Sequence, residues 1–378
     1  MKRYLLIIIP LIFLGGFTFY QVPNHFYAEN TETTCLEDSL LFVRVIVAGD
    51  AMCHSPQITH AKMEENRYDF SDCYKYLVDI LDNGDLNIIN FETTLAGAPY
   101  SGYPNFCAPD EFALSLRDAG FNFFLLANNH CADKGTKGTA LTIEKMKQFN
   151  IETTGTFLND DERDTLYPAI VEKNGITMAL LNYTYGTNGL TVNKPVIINH
   201  LDDTAQIKID LENAKLKGAD IILVFLHWGI EYQQTPSSKQ KEQAQFIFKN
   251  GADIIIGSHP HVIQPVEYYN YDSEDVTKTK LIYWSLGNFI SNQRQLNTDG
   301  GIMASFTIVK NKNSLQTHIE NHTHIPYWVY RNTEISPGYF VLPTEHSSID
   351  SICATFSSAD KEAFLLFKNN TQKLLQEK

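Results

Sequence analysis

The chain has 378 residues, 43% of them apolar and 20% charged, values that suit a globular protein with a sizeable core. Its formal net charge is −14 and no Lys/Arg-rich stretch offsets it, which argues against a nucleic-acid partner because phosphate binding relies on a basic face. An anionic substrate would need a local attraction, most simply bound metal ions.

Lys2 and Arg3 precede the uncharged stretch 4–20, and the next charge is Glu29. Residues 1–27 therefore read as a signal anchor or signal peptide, with the retained anchor favoured and the remainder exported to the extracytoplasmic face of a bacterial membrane. Residues 28–40 read as a polar linker. From Leu41 onward apolar runs alternate with helical patterns, which predicts an α/β domain over 41–340. The strand-like runs are 42–48, 86–91, 121–127, 221–226, 254–256 and 281–284, rich in Ile, Leu, Val and Phe and without polar alternation. Helices are expected at 72–81, 110–119, 139–149, 205–216 and 238–249, with Gly-Ala-Asp repeated before two strands, at 218–220 and 251–253. Further strands are expected at 302–309 and 318–330. An amphipathic helix at 358–375 closes a C-terminal extension, 341–378. The six cysteines show neither a Cys-x-x-Cys pair nor zinc-finger spacing. Cys53 and Cys131 read as small buried residues lining a pocket.

Each of the six apolar runs ends on residues that bind metals or move protons. In open α/β sheets ligands sit outside the carboxyl ends of the strands, so these ends predict one site. Asp50 and Glu92 supply carboxylates, His54, His227, His259 and His261 imidazoles, and Asn129 a carbonyl oxygen. A two-metal hydrolytic site needs such a set, including a carboxylate able to bridge the ions. Nitrogen and oxygen ligands suit Mn, Zn or Fe alike. His130, next to Asn129, is placed to protonate a leaving oxygen, and Asp133 to fix its tautomer. Glu231 and Tyr232 follow His227 closely and, with Asn288, are assigned to the substrate side of the pocket; Glu231 is alternatively an orienting acceptor for His227. Gly135 and Gly138 precede a helix and either present amides to an anion or form a plain loop. His318, His322 and His324 alternate along a polar strand as a solvated face, and His60 and His200 read as surface residues.

These residues fall into six ordered motifs: 49–52 (GDAM), 90–93 (NFET), 127–130 (ANNH), 227–232 (HWGIEY), 257–262 (GSHPHV) and 283–289 (YWSLGNF). Together they resemble the CapA family of capsule-synthesis proteins associated with bacterial poly-γ-glutamate, over about residues 41–330. The resemblance implies kinship with calcineurin-like metallophosphoesterases and a four-layer αββα sandwich. It also implies that Asp50 and His261 serve a first ion, that Glu92 bridges, and that Asn129, His227 and His259 serve a second, with His130 as proton donor. Two departures stand out. His54 lies four residues after Asp50 rather than two, and Glu92 replaces the usual bridging Asp.

The leading expectation is an exported, membrane-associated metalloenzyme acting on a γ-glutamyl or other anionic cell-surface polymer, in company with capsule-synthesis machinery. Metal-assisted hydrolysis of a phosphoester or an amide is the expected chemistry. The rivals are a non-catalytic, metal-stabilised scaffold for polymer export and an extracytoplasmic phosphatase of small phosphoesters.

Overall fold

The structure is a computed structural model, and it describes residues 39–64, 67–270 and 279–376. The anchor expected at 1–27 and nearly all of the linker lie outside the described residues. Among those described, no helix is long and apolar enough to cross a membrane.

The first half of the chain runs β1 (Leu40–Ala51), α1 (Ser55–Ala61), α2 (Val78–Leu81), β2 (Leu86–Phe91), α3 (Asp110–Asp118), β3 (Phe123–Leu125), α4 (Gly135–Gln148) and β4 (Glu152–Thr154). It continues through β5 (Thr156–Phe157), α5 (Asp160–Leu166), β6 (Ala169–Lys173), β7 (Ile176–Thr184), β8 (Ile197–Ile198), α6 (Thr204–Leu216), β9 (Ile221–His227), α7 (Ser238–Lys249) and β10 (Ile254–Ser258). The remainder is β11 (Val266–Asn270), β12 (Thr279–Tyr283), β13 (Asn288–Ile290), β14 (Gly300–Asn311), β15 (Thr317–Arg331), β16 (Tyr339–Pro343), α8 (Ile349–Ala354) and α9 (Ser358–Gln376).

These strands build two large sheets. The first has the order β16-β15-β14-β1-β2-β3-β4, with β13 alongside the end of β1; the second has the order β11-β12-β10-β9-β7-β6. In the first, β1 to β4 are parallel and β14 to β16 antiparallel; in the second, the central strands are parallel and the two edge strands antiparallel. Parallel strands are covered on both faces, which is why β2, β9 and β10 are buried throughout and mainly apolar, with Asn87 and Asn90 the polar residues inside β2. One core joins Val45, Val47 and Ile88 of the first sheet to Leu180, Phe225 and Ile256 of the second. A second core joins Ile46 and Ile89 to Phe112 and Leu116 of α3 and Ile143 and Met146 of α4. A third joins Val224 and Ile255 to Ile207 and Leu211 of α6 and Ile247 of α7. The layers thus run helices, sheet, sheet, helices.

A repeated local device sets the register of the parallel strands. Asp220, entering β9, gives its N–H to Thr177 O (2.8 Å) and takes the Thr177 N–H on Oδ2 (2.8 Å). Asp253, entering β10, does the same with Ile222 (2.9 and 2.9 Å), and Asp85, entering β2, with Arg44 (2.9 and 2.8 Å). The Gly-Ala-Asp echoes are therefore alignment clamps. Each puts the start of one strand level with its neighbour, so the carboxyl ends finish level too.

Several expectations change. The single helix expected at 72–81 is a 3₁₀ turn, Ser71–Tyr74, followed by α2. Tyr74, Leu77 and Leu81 are all fully buried, so helical spacing survives where the backbone is not one continuous helix. The run 121–127 is a strand only over Phe123–Leu125, because its ends turn into loops. α4 begins at Gly135, so Gly135 and Gly138 lie inside the helix rather than before it. β16 runs across residue 340, so the sheet continues past the expected domain end, and Phe364 and Phe367 of α9 pack with Trp328 of β15. β6, β7 and β11 have no counterpart among the expected strands.

Candidate metal centre

The carboxyl ends of β1, β2 and β3 from one sheet meet those of β9 and β10 from the other. Asp50 lies near the end of β1, where β13 runs parallel to it and Asp50 N donates to Gly287 O at 3.1 Å. That approach needs glycine at 49, since a Cβ there would sit 2.0 Å from Gly287 O. Glu92 follows β2 and Asn129 and His130 follow β3. His227 ends β9, and His259 and His261 follow β10.

The ligand atoms form two overlapping groups, Asp50–Glu92–His227 and Glu92–His259–His261, each with its members within 4.8 Å of one another. Glu92 belongs to both. Its Oε1 is 3.6 Å from His227 Nε2 and 3.9 Å from His261 Nε2. Asp50 Oδ2 accepts from the His259 backbone N–H (3.1 Å) and faces His261 Nδ1 (3.0 Å). His259 and His261 have φ of +96° and +59°, a left-handed backbone that L-residues rarely adopt. This 259–261 turn aims both rings inward, with centroids 5.8 Å apart. Backbone strain of this kind is held only where the surroundings over-determine it.

A hydrogen-bond chain orders the remaining donors. Asn90 Nδ2 donates to Asp50 Oδ1 (2.8 Å) and approaches His227 Nδ1 (3.3 Å). His227 Nε2 is 2.7 Å from Asn129 Oδ1, and Asn129 Nδ2 donates to Asn188 Oδ1 (3.2 Å). Asn188 thereby turns the carbonyl oxygen of Asn129 toward the cluster.

The bare cluster is electrostatically unfavourable. Neither oxygen of buried Glu92 meets a hydrogen-bond donor, and His259 Nδ1 is equally orphaned. Burial, then the neighbouring Asp50 charge, hold the Glu92 carboxyl well above its usual range. Burial, then the neighbouring histidines, hold His227 and His259 well below theirs, so both are neutral ligands at pH 7. A cation would reverse the cost at Glu92 and occupy the orphaned atoms. Two carboxylates, three imidazoles and an amide oxygen fit a divalent transition metal.

His130 stands beside this cluster without joining either ligand group. Its Nδ1 is 2.7 Å from Asp133 Oδ2, which also accepts the Phe106 N–H at 2.6 Å. Phe106 meets the His130 ring edge to face at 4.7 Å. A cleft of about 620 Å³ opens in front, lined by His130, His261, His54, Glu231, Tyr232 and the segment 292–295, among others.

The other expected residues fall as follows. His54, expected as a ligand, is outside both groups: it forms the cleft wall, with Nδ1 3.3 Å from Gln57 Oε1 and its ring 5.0 Å from Phe106. It lies beyond β1 as the N-cap of α1, where its side chain meets Gln57 in a capping box. Burial pushes its pKa down to about 4. Glu231 and Tyr232 line the cleft, but Asn288, expected at the substrate, is fully buried and gives its amide to Gln293 Oε1 and Thr298 O, each at 2.8 Å. Cys53 and Cys131 are buried and free. Of the peripheral histidines, His318 bonds Glu320 (2.7 Å) and His322 stacks on Tyr268 (4.8 Å). Sequence reasoning missed Asn188 and Tyr185, whose ring lies 4.5 Å from that of His259, because both follow the unanticipated β7. It also missed Asn90 as a site residue; a polar residue inside the apolar run 86–91 was the available signal.

A buried carboxylate–imidazole cluster, fed by the strand ends of two facing sheets and opening on a cleft beside a His–Asp pair, defines a candidate cation-dependent site. The family model described as "Bacterial capsule synthesis protein PGA_cap" matches residues 44–293, more than half of the chain, and the chain belongs to that family. It is 28% identical over 333 residues to the capsule biosynthesis protein CapA of Bacillus anthracis, covering 82% of this chain and 73% of that one. It is 27% identical over 323 residues to the PGA biosynthesis protein CapA of Bacillus subtilis strain 168, covering 82% and 78%. Among solved structures, it matches a Mycoplasma pneumoniae phosphatase with a TM-score of 0.44 and 14% identity, over 75% of this chain and 94% of that one. A 5′-nucleotidase precursor from Thermus thermophilus matches with a TM-score of 0.46 and 14% identity, over 89% and 60%.

Proposed function

We propose that the protein is a hydrolase with a dinuclear metal site of the metallophosphoesterase type, acting in the synthesis, export or processing of an anionic, poly-γ-glutamate-like surface polymer. The observation that carries this reading is the membership of Glu92 in both ligand groups, the arrangement a bridging carboxylate needs. The resemblance would give Asp50 and His261 to one ion and Asn129, His227 and His259 to the other; that division crosses the two groups, which set Asp50 with His227 and His259 with His261 about the shared Glu92. When bound, the ions supply Lewis-acid polarisation and a hydrolytic nucleophile at neutral pH. The chain's own residues do the rest. Asp133 Oδ2 holds the Nδ1–H of His130, so that in its imidazolium form the ring presents Nε2–H, the proton that passes to the leaving group. Phe106 and the buried floor exclude water around that pair. Glu231 and Tyr232 bind and orient the substrate. The family's association with capsule supports the polymer as substrate, and the charged start and apolar stretch at 2–20 support anchoring at the extracytoplasmic face beside capsule-synthesis machinery.

Elemental analysis of purified, Mn- or Zn-reconstituted protein tests the centre: two ions per chain are expected, and a protein that stays metal-free sinks the reading. Turnover of phosphoesters by the loaded protein separates an enzyme from a scaffold. Polymer analysis of a deletion strain separates polymer processing from small-phosphoester hydrolysis. Protease digestion of the chain on intact spheroplasts tests the location, and complete protection would overturn it.

A further inference from the structure

The cleft holds more than the metal centre needs. At about 620 Å³ it is in the size range that accommodates an extended ligand. Among the described residues, Arg294 is the one permanently cationic side chain that lines it. The chain carries 44 acidic residues against 30 basic ones, yet no carboxylate among the described residues lies within ion-pair distance of Arg294. Its one described hydrogen bond is from Nη1 to the main-chain oxygen of Gln293 (2.6 Å), which leaves most of a five-donor fork for other acceptors.

The segment that carries Arg294 is fixed from several sides. Tyr339 Oη donates to Asn292 Oδ1 (2.6 Å), and Asn292 N donates to His54 Nδ1 (3.3 Å). Asn288, next to Asp50 across the β1–β13 pair, holds Gln293 at 2.8 Å. The guanidinium also rests 6.0 Å from the Tyr339 ring centroid. Arg294 is thus tied to the wall of the metal centre through His54 and Asn288. Exposed Tyr103 and Tyr232 offer flat walls along the same cleft, and Glu231 offers an acceptor.

Resting on the hydrolase reading above, we propose that Arg294 is a carboxylate subsite: it grips an acidic side group of a polymeric substrate at a point beyond the group held at the metal centre. A planar guanidinium matches a carboxylate in two parallel hydrogen bonds. Glu231 suits the amide N–H of the same chain and repels a bare dianion. The favoured ligand is therefore an amide-linked chain that repeats a carboxylate.

The test is equilibrium binding of a fluorescent decamer of γ-linked glutamate to full-length protein in detergent, loaded with Mn. A γ-linked glutamine decamer is the neutral control and polyphosphate the competing anion. Arg294→Gln should weaken the acidic decamer roughly 10-fold or more, as loss of a charged hydrogen-bonded contact does, and leave the neutral one unchanged. Arg294→Lys should recover part of the loss. Both variants should keep the wild-type Mn content and melting temperature, and Arg294→Lys keeps the test valid if Arg294→Gln does not fold. Equal binding of the acidic decamer by wild type and Arg294→Gln overturns the proposal. So does wild-type indifference between the two decamers, or an Arg294-dependent preference for polyphosphate. Mn content and turnover of 4-nitrophenyl phosphate in the same preparations judge the hydrolase reading separately, since neither involves a distant carboxylate.

Discussion

His227 Nε2 lies 2.7 Å from Asn129 Oδ1, although the two residues are 98 positions apart and belong to different sheets. With Asn90 donating to Nδ1, the Nε2 proton of His227 goes to Asn129, whose own amide goes to Asn188. A metal ion on Nε2 would need that proton moved to Nδ1, since a neutral imidazole ligates through its bare nitrogen, and it would find the Asn129 oxygen alongside.

Asn188→Ala should therefore weaken metal binding without removing a ligand. The expected loss is roughly 10- to 100-fold in affinity, the usual effect of deleting an outer hydrogen-bond partner of a ligand. Competition with a fluorescent chelator measures it, and an unchanged affinity would show that Asn129 is oriented by other contacts.

Glu92→Gln should move metal binding and bare-protein stability in opposite directions. The substitution removes a buried carboxylate that meets no donor and faces Asp50, so the metal-free variant should melt higher than metal-free wild type at neutral pH. It should also lose the melting increase that Mn gives the wild type. Thermal melts with chelator and with Mn check both halves.

His130→Ala should keep its metal and lose rate by roughly 10²–10⁴-fold, the usual contribution of a positioned general acid. The deficit should shrink for substrates whose leaving group needs no proton. Asp133→Asn should give a smaller loss of the same kind, because the Nδ1 partner at 2.7 Å is weakened rather than removed. Loss of metal together with rate would make His130 a ligand instead.

His54 makes the metal-free protein acid-sensitive. Its folded pKa, about 4, is below the ordinary 6.5, so between those values the unfolded chain takes up a proton that the fold does not. Stability is then lost as pH falls from about 6.5 to 4, with no further loss from this group below that. His227 and His259 act in the same direction, and Glu92, held high, acts in the opposite one by favouring the fold at lower pH. His54→Gln leaves the other three in place and should flatten the fall by on the order of 1–3 kcal/mol. Melting temperatures across that pH range, with chelator, give the comparison.

Gly49→Ala tests the close approach of β1 and β13. Its Cβ would sit 2.0 Å from Gly287 O, so one strand must move, at a cost of roughly 1–3 kcal/mol. A shift there displaces Asp50, and metal affinity should fall with stability. Unchanged melting and affinity would show that the junction yields.

The α/β class and the chemistry at the strand ends were legible in the sequence because parallel strands are covered on both faces. Such strands are mainly apolar until they emerge, so 86–91, despite Asn87 and Asn90, and 221–226 stop where Glu92 and His227 begin. The helix 238–249 was equally plain, since it carries an apolar face and ends just before a glycine; 205–216 was marked mainly by the glycine that follows it, because Ile209 and Leu216 lie off its buried face. Tertiary structure alone decided which strand ends meet. His54 and His261 look alike as histidines just beyond a strand, but only the left-handed backbone at 259–261 turns its ring into the cluster, whereas His54 begins a helix and points to the cleft. Asn188, Tyr185 and Arg294 were invisible for a related reason: they lie on loops, where no periodicity marks them, and they reach the site only because one sheet stacks on the other. Chain-local patterns record which residues a strand buries, whereas the partners of a side chain that leaves the strand depend on how the two sheets pack.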